Sequence, residues 1–379
     1  MNLSVIPAQT GPVEITRAEV HRVSIPLHEP FRISSGEVSR KDVLLVRIAN
    51  GDLYGWGESS AMGGGFYSSE TPDGCEAELL NVLLPAVIGK RFETIQELDN
   101  QLAVISSNCF ARVAIETAAW EMIARERGVS VRELLRIGWR PIPSGLAIGL
   151  YDSTAELLAA IDRQQPQRYK RLKIKIKRGQ DLELVQAVRQ KFGSIPLFVD
   201  ANADYTIADL PVFQELDKFD LMMFEQPFGK SDLGGSQELQ KAIKTPVCMD
   251  ESIETAALAE EAIHRGSCRI VNLKIQRVGG FTEGLRIIDA CVRNQVPMWM
   301  GTMPELGIGS AQALALAAHP AFVFPTDVEP SDRWFEDDVL KPEMQLSSDG
   351  TLNAPEGPGW GFEVDPAKLE RWGIRTTSL

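Results

Sequence analysis

Five side chains carry the first indication of chemistry. Lys175, Asp200, Glu225 and Asp250 stand 25 residues apart in turn, and Lys274 follows 24 later. Each sits at or beside the end of a short apolar run, in RLKIKIK, IPLFVD, LMMFEQ, TPVCMDE and RIVNLKI. One acid at a strand end reads as a helix cap or a surface residue, but three in register read as a set. Three carboxylates in a partly buried mouth repel one another. A hard divalent cation relieves that conflict, because magnesium takes oxygen ligands and keeps positions open for water or substrate; manganese could substitute. Asp200, Glu225 and Asp250 are therefore the expected metal ligands.

In RLKIKIK the alternation turns Leu172, Ile174 and Ile176 to one side and Lys173, Lys175 and Lys177 to the other. A buried lysine is costly unless paired or neutralised. Burial beside a bound cation should also lower its pKa and make it a usable base. Lys274 lies four strands on from Lys175, so the two ammonium groups are expected to flank the metal from opposite sides. That arrangement suits removal of a proton α to a carboxylate, with the metal stabilising the enediolate. One lysine takes the proton, and the other returns one on the opposite face.

The elements that must position these groups are legible in the rhythm of the chain. Apolar runs recur from SGLAIGL through VPMWMG to AFVFPTD, eight in all, with helical segments such as DLELVQAVRQKFG between them. Strands alternating with helices at a near-constant period predict a parallel (β/α) barrel, whose strand C-termini carry the active site. Before it, VEITRAEVHRVSI and DVLLVRIAN read as strands separated by a polar loop, FRISSGEVSRK, and Asn50-Gly51 marks a hairpin turn. ARVAIETAAWEMIARERG reads as a helix with Ile115, Ala118, Ala119, Met122 and Ile123 on one face and Gly128 as its cap. After about residue 335, KPEMQLSSDGTLNAPEGPGWGFEVD reads as two short strands and turns, and the tail is expected to pack back on the N-terminal unit. The divisions are 1–137 for an α+β cap, 138–335 for the barrel and 336–379 for the returning segment.

Composition limits the alternatives. With 39 basic and 52 acidic residues the net charge is −13, which disfavours nucleic acid and anionic membranes. Five scattered cysteines without a CxxC pair argue against a disulfide framework or zinc knuckle. The N-terminus lacks a basic start followed by an apolar run, and no uninterrupted apolar stretch is long enough to span a bilayer. The chain reads as soluble and cytoplasmic. Nucleotide-binding and serine-hydrolase motifs are absent. The glycine pair Gly279-Gly280 in RVGGF either binds an anion at the next helix N-terminus or simply turns the chain.

KIKIK followed by RGQD, VDANADYT, FEQP, MDESI, NLKIQRVGG and GTMPELGIG together resemble the enolase superfamily, muconate-lactonizing subgroup. The resemblance implies an α/β fold, a modified TIM barrel (β/α)7β with an α+β capping domain formed by the N-terminal region and C-terminal tail. It implies magnesium at Asp200, Glu225 and Asp250 and acid/base roles for Lys175 and Lys274. It further implies that the FRISSGEV and GGGFYSSE loops close over a small carboxylate substrate. The only histidines are His21, His28, His264 and His319, so a lysine pair rather than a Lys/His pair is supplied. IPLFVDANADYT, RVGG and PTDVEPSDRWFEDDV are most similar to o-succinylbenzoate synthases and N-succinylamino acid racemases, whereas GTMPELGIGS is closer to muconate cycloisomerases and dipeptide epimerases. Asp327-x-Glu329 is similar to the Asp-x-Asp with which dipeptide epimerases hold a substrate ammonium.

Lys173, Asn202, Glu251, Glu305, Phe66 and Tyr67 are further candidates for contacting substrate or orienting the principal groups. Such barrels are commonly homo-oligomeric, although no interface signature stands out. Two other classes compete: a Schiff-base lyase using Lys175 or Lys274 as nucleophile, and a binding module on a barrel scaffold. Retention of all five principal residues speaks against the second.

Overall fold

The computed structural model describes residues 10–33, 35–353 and 356–379. The N-terminal unit is an antiparallel sheet of β1 (Arg17–Ile33), β2 (Gly36–Asn50) and β3 (Leu53–Ser59), with Asn50 opposite Leu53 across the Gly51 turn. The stretch read as a polar loop is instead the far end of the β1–β2 hairpin. Phe31 pairs with Val38 and Ile33 with Gly36 beyond an irregularity after Pro26, while Ser34 lies outside the described residues. Aromatic and branched residues alternating with polar ones continue the pairing there, so polarity alone misled.

The longest of the helices that follow are α1 (Ile95–Ile105) and α2 (Cys109–Glu126). The side chain of Asn108 caps α2 by accepting from Ala111 N. A one-sided apolar face was expected, yet α2 is buried almost all round. The sheet covers one side and the barrel the other, so both faces need apolar residues. Gly57 permits the close approach, since a methyl group there would fall 1.9 Å from Ala114 O.

The barrel begins with β4 (Leu146–Ile148) and alternates α3 (Thr154–Arg163), β5 (Leu172–Lys175), α4 (Asp181–Phe192), β6 (Leu197–Asp200), α5 (Leu210–Leu216), β7 (Phe224–Glu225), α6 (Leu233–Ala242), β8 (Val247–Met249), α7 (Ala256–Arg265), β9 (Ile270–Leu273), α8 (Phe281–Arg293), β10 (Met298–Met300) and α9 (Gly307–Ala317). Strands β4 to β10 form one parallel sheet in sequence order. The eighth run closes it without becoming a regular strand. Met298 N donates to Ala321 O and Val323 N to Met298 O on one edge, while Thr326 N donates to Pro143 O on the other. Pro325, lacking an N–H, interrupts the ladder between them. The architecture is a (β/α)7β barrel with an α+β cap.

The tail adds more than two short strands. After Thr351–Asn353 and Glu363–Val364 come α10 (Pro366–Trp372) and β11 (Gly373–Ser378), and β11 pairs antiparallel with β1. Cap and barrel are also joined by carboxylates at helix N-termini. Glu116 of α2 accepts from Phe281 N and Thr282 N at the start of α8, at 2.9 and 2.8 Å. Glu58 of β3 accepts from Leu306 N and Gly309 N at the start of α9, both at 2.8 Å. The glycine pair therefore turns the chain and admits an anion, and that anion is internal. A methyl on Gly280 would lie 2.4 Å from Glu116 Oε2. Among the described residues no helix is long and apolar enough to cross a membrane.

Candidate active site

Adjacent parallel strands in register bring the strand ends together. Lys175 pairs with Asp200 across β5–β6, and Asp200 pairs with Glu225 across β6–β7. Asp250 follows β8, and Lys274 follows β9. All five are buried. Lys175 Nζ lies 2.5 Å from Asp200 Oδ2 at one end of the row, and Lys274 Nζ lies 2.9 Å from Asp250 Oδ2 at the other. The two lysines thus flank the carboxylates from opposite sides.

Lys173 is the centre of the array. Its ammonium lies 3.0 Å from Asp200 Oδ2, 2.7 Å from Glu225 Oε2 and 3.0 Å from Asp327 Oδ2. Lys177, expected on the same side, is exposed because the strand ends at Lys175. Asn202 donates its backbone N–H to Asp200 Oδ1 at 2.9 Å and its side-chain amide to Glu251 Oε1 at 3.3 Å. Tyr67 accepts from Lys274 Nζ at 3.2 Å, so the glycine-rich loop does reach the site. Its neighbour Phe66 packs instead against Gly36 of the hairpin. Glu305 lies apart, at the seam between cap and barrel. It accepts from Met303 N, close to the buried Lys41, which donates to Ser60 O and Met303 O.

Several members of the site were not singled out from the sequence. Asn272 Nδ2 donates to Glu225 Oε1 and Asp250 Oδ1, both at 2.9 Å. Arg277 Nη1 donates to Asp250 Oδ1 at 2.6 Å, with Tyr67 Oη 3.4 Å away. Arg171 pairs with Asp327 beneath Lys173. The signals were present: Arg171 and Asn272 fall two residues before Lys173 and Lys274 on the same strand faces, and Arg277 is one short helical turn after Lys274. Asp327, matched from sequence to an ammonium-binding motif, already has both oxygens engaged by Arg171 and Lys173. Glu329 accepts from Ala147 N.

The electrostatics follow from this packing. Burial alone would raise Asp200, but Lys173 and Lys175 outweigh it and hold Asp200 well below the ordinary carboxylate range. Burial likewise opposes the ionisation of Asp250, and Arg277 and Lys274 overcome it. Glu225 lies between two ionised neighbours, and burial together with the Asp200 charge raises it well above its usual value. Burial, reinforced by the charges of Asp250 and Asp200, pushes Glu251 up to about 7. The expected lowering of Lys274 is absent from the protein alone. Burial pulls Lys274 down, but the Asp250 carboxylate and the Tyr67 oxygen outweigh it and raise its pKa.

A divalent cation suits the donor chemistry. The set is three hard carboxylates, and the buried Glu225 Oε2 and Asp250 Oδ2 make ion-pair contacts but no hydrogen bonds. Among the described residues, however, no three acidic, histidine or cysteine side chains are gathered into a cation-binding group. Lys173 stands between Asp200 and Glu225, and Asn272 stands between Glu225 and Asp250. Beyond Tyr67, Glu251 and Arg277 a cavity of about 700 Å³ extends between the cap helices and the barrel loops, past Glu70, Arg112 and Glu283.

The geometry has clear relatives. The chain matches the "Enolase C-terminal domain-like" family over residues 154–368 and the "Mandelate racemase / muconate lactonizing enzyme, N-terminal domain" family over residues 15–136. It is 38% identical to an o-succinylbenzoate synthase of Bacillus subtilis over 361 residues, covering 95% of this chain and 97% of that one. It is 38% identical to an N-succinylamino acid racemase of an Amycolatopsis species over 359 residues, covering 94% and 97%. A crystal structure of an enolase-superfamily protein from Listeria innocua superposes with a TM-score of 0.91 at 34% identity, covering 97% of this chain and 99% of that one. With both halves matched and the barrel and cap shared, the chain belongs to the enolase superfamily, as an enzyme built from mandelate racemase/muconate lactonizing N- and C-terminal domains.

Proposed function

We propose that the barrel mouth removes a proton α to a carboxylate, with Asp200, Glu225 and Asp250 holding magnesium and Lys175 and Lys274 as the acid/base pair. The single observation carrying this reading is the row of three buried carboxylates with an ammonium group at each end. The chemistry supplied by bound magnesium would be neutralisation, both of the carboxylates that pair with the lysines and of the charge developing on substrate. Lys175 works from the β5 side and Lys274 from the β9 side, so one face of the α-carbon meets each. Tyr67 and Arg277 hold Lys274 and Asp250 in place. The cap hairpin meets the barrel where Leu150 N donates to Arg32 O.

Within the superfamily, the reading is o-succinylbenzoate synthase, by syn-dehydration, or N-succinylamino acid racemase, or both. Relatives of both names match over nearly the whole chain. The interior charge agrees. Arg171, Lys173, Lys175, Lys274 and Arg277 face Asp200, Glu225, Asp250, Glu251 and Asp327, five against five until a divalent metal adds two positive charges. Such a site favours a substrate with two carboxylates over a zwitterionic dipeptide, whose ammonium would find Asp327 already neutralised. A Schiff-base lyase would work without a metal, and borohydride trapping of a keto substrate that is indifferent to EDTA would favour it instead.

The test is proton NMR in D2O with magnesium and a panel of N-succinyl amino acids, dipeptides and muconate. Exchange of the α-hydrogen is expected with an N-succinyl substrate, lost on adding EDTA and reduced about 10²–10⁴-fold in Lys175→Ala or Lys274→Ala. Absence of exchange with every carboxylate, together with indifference to EDTA, would sink the proposal.

A further inference from the structure

Two further buried charges, Arg171 and Asp327, stand behind Lys173. Arg171 is fully buried, with 0% exposure, where an isolated cation would be expensive to bury. Its guanidinium carbon sits 4.7 Å from the Phe198 ring centroid and 5.4 Å from that of Trp299. Gly145 makes room for it, since a methyl there would fall 2.3 Å from Arg171 Cζ. One guanidinium nitrogen donates to Leu146 O at 3.3 Å and another pairs with Asp327 Oδ1. The other Asp327 oxygen accepts from Lys173 at 3.0 Å. Lys173 in turn stands over the same two rings, 4.9 Å from Trp299 and 5.6 Å from Phe198. A single column therefore runs from Arg171 through Asp327 and Lys173 to Asp200 and Glu225.

We propose that Arg171 and Asp327 are a positioning pair that sets how strongly Lys173 competes for Asp200 and Glu225, and thereby sets the cation affinity of the site. This inference rests on the metal reading above. Asp327 divides its charge between two cations. Without Arg171, all of it acts on Lys173 and draws that ammonium away from the two ligands. Without Asp327, Lys173 depends on Asp200 and Glu225 alone and holds them harder. The two changes have opposite signs, whereas damage to the fold would weaken binding in both.

The experiment measures Mn2+ binding without substrate, by the loss of the free-ion EPR signal. Arg171→Met replaces the buried cation by a flexible apolar chain that the two rings can still pack against, and should bind Mn2+ threefold to tenfold more tightly. Asp327→Asn should bind it more weakly by a similar factor. In a Lys173→Met background the Arg171→Met effect should vanish, because the coupling passes through Lys173. If Asp327→Asn does not fold, Arg171→Met decides alone: unchanged or weaker binding overturns the proposal. Persistence of the effect in the Lys173→Met background also overturns it, in favour of a field acting directly on the cation. No Mn2+ binding by the unaltered protein would instead overturn the metal reading itself.

Discussion

At the scale of single residues, the site is a balance of buried opposite charges in which each group depends on its neighbours. Tyr67 illustrates the dependence. Its hydroxyl accepts from Lys274, and burial pushes its own pKa up to about 12, so it remains a neutral phenol near neutral pH. Tyr67→Phe keeps the ring and removes the hydrogen bond from Lys274 together with the longer one, at 3.4 Å, from Arg277, a loss of about 1 kcal/mol. The expected result is a fall of roughly fivefold in turnover of an exchanging substrate, read by NMR, with the melting temperature little changed. An unaltered rate would show that Lys274 is held by Asp250 without help from the cap. Tyr67 stood out in the sequence as an aromatic on a glycine-rich loop, yet Phe66 beside it had the same appearance. The hairpin claims Phe66 and leaves Tyr67 to the barrel, a division made by loop geometry that composition does not record.

At the scale of elements, strand register assembles the row of acids, and helix N-termini lock the cap to the barrel. Glu116 satisfies backbone donors at the start of α8 and also accepts from Trp120 Nε1 at 2.8 Å. Gly280→Ala would drive a methyl against Glu116 at a backbone φ of 136°. The cost should be roughly 2–4 kcal/mol, from strain and from buried donors left unpaired. Calorimetry should record a melting temperature several degrees lower. Gly138→Ala is the control, because nothing lies within 4 Å of the added methyl, and it should be neutral. If both variants melt with the unaltered protein, Glu116 does not bolt the two units together.

At the scale of the molecule, several carboxyls buried away from Asp200, Glu225 and Asp250 make stability depend on pH. Burial pushes Glu116, Glu121 and Glu329 up to about 7 from an ordinary value of 4.5. Between those values the folded chain holds protons that the unfolded chain has lost. Stability from these groups is therefore full below about 4.5 and falls as pH rises toward 7. Asp327 acts oppositely: burial opposes its charge, Lys173 and Arg171 prevail, and the stability it lends is lost in acid. In EDTA, the melting temperature should peak on the acid side of neutrality and decline toward pH 8. Glu116→Gln should flatten that decline, and an unchanged slope would remove Glu116 from the account.

The sequence by itself determined the barrel, the order of its strand ends and the five principal side chains. That information is local: a 25-residue repeat sets which residues end each strand, and parallel register then places them side by side. Alternation along a strand similarly turned Lys173 inward with Lys175. Only the tertiary structure decided what those charges meet. Asp327 reaches Arg171 and Lys173 because the eighth segment closes the barrel, and Glu116 meets Gly280 because the cap docks on it. The hairpin end, the returning β11 and the position of Glu305 at the cap–barrel seam depend on the same closure. Glu116 and Thr282 lie 166 residues apart in the chain, and Glu58 and Gly309 lie 251 apart. Their pairing is selected by the cost of burying an unmatched charge, which arises only once the fold has excluded water.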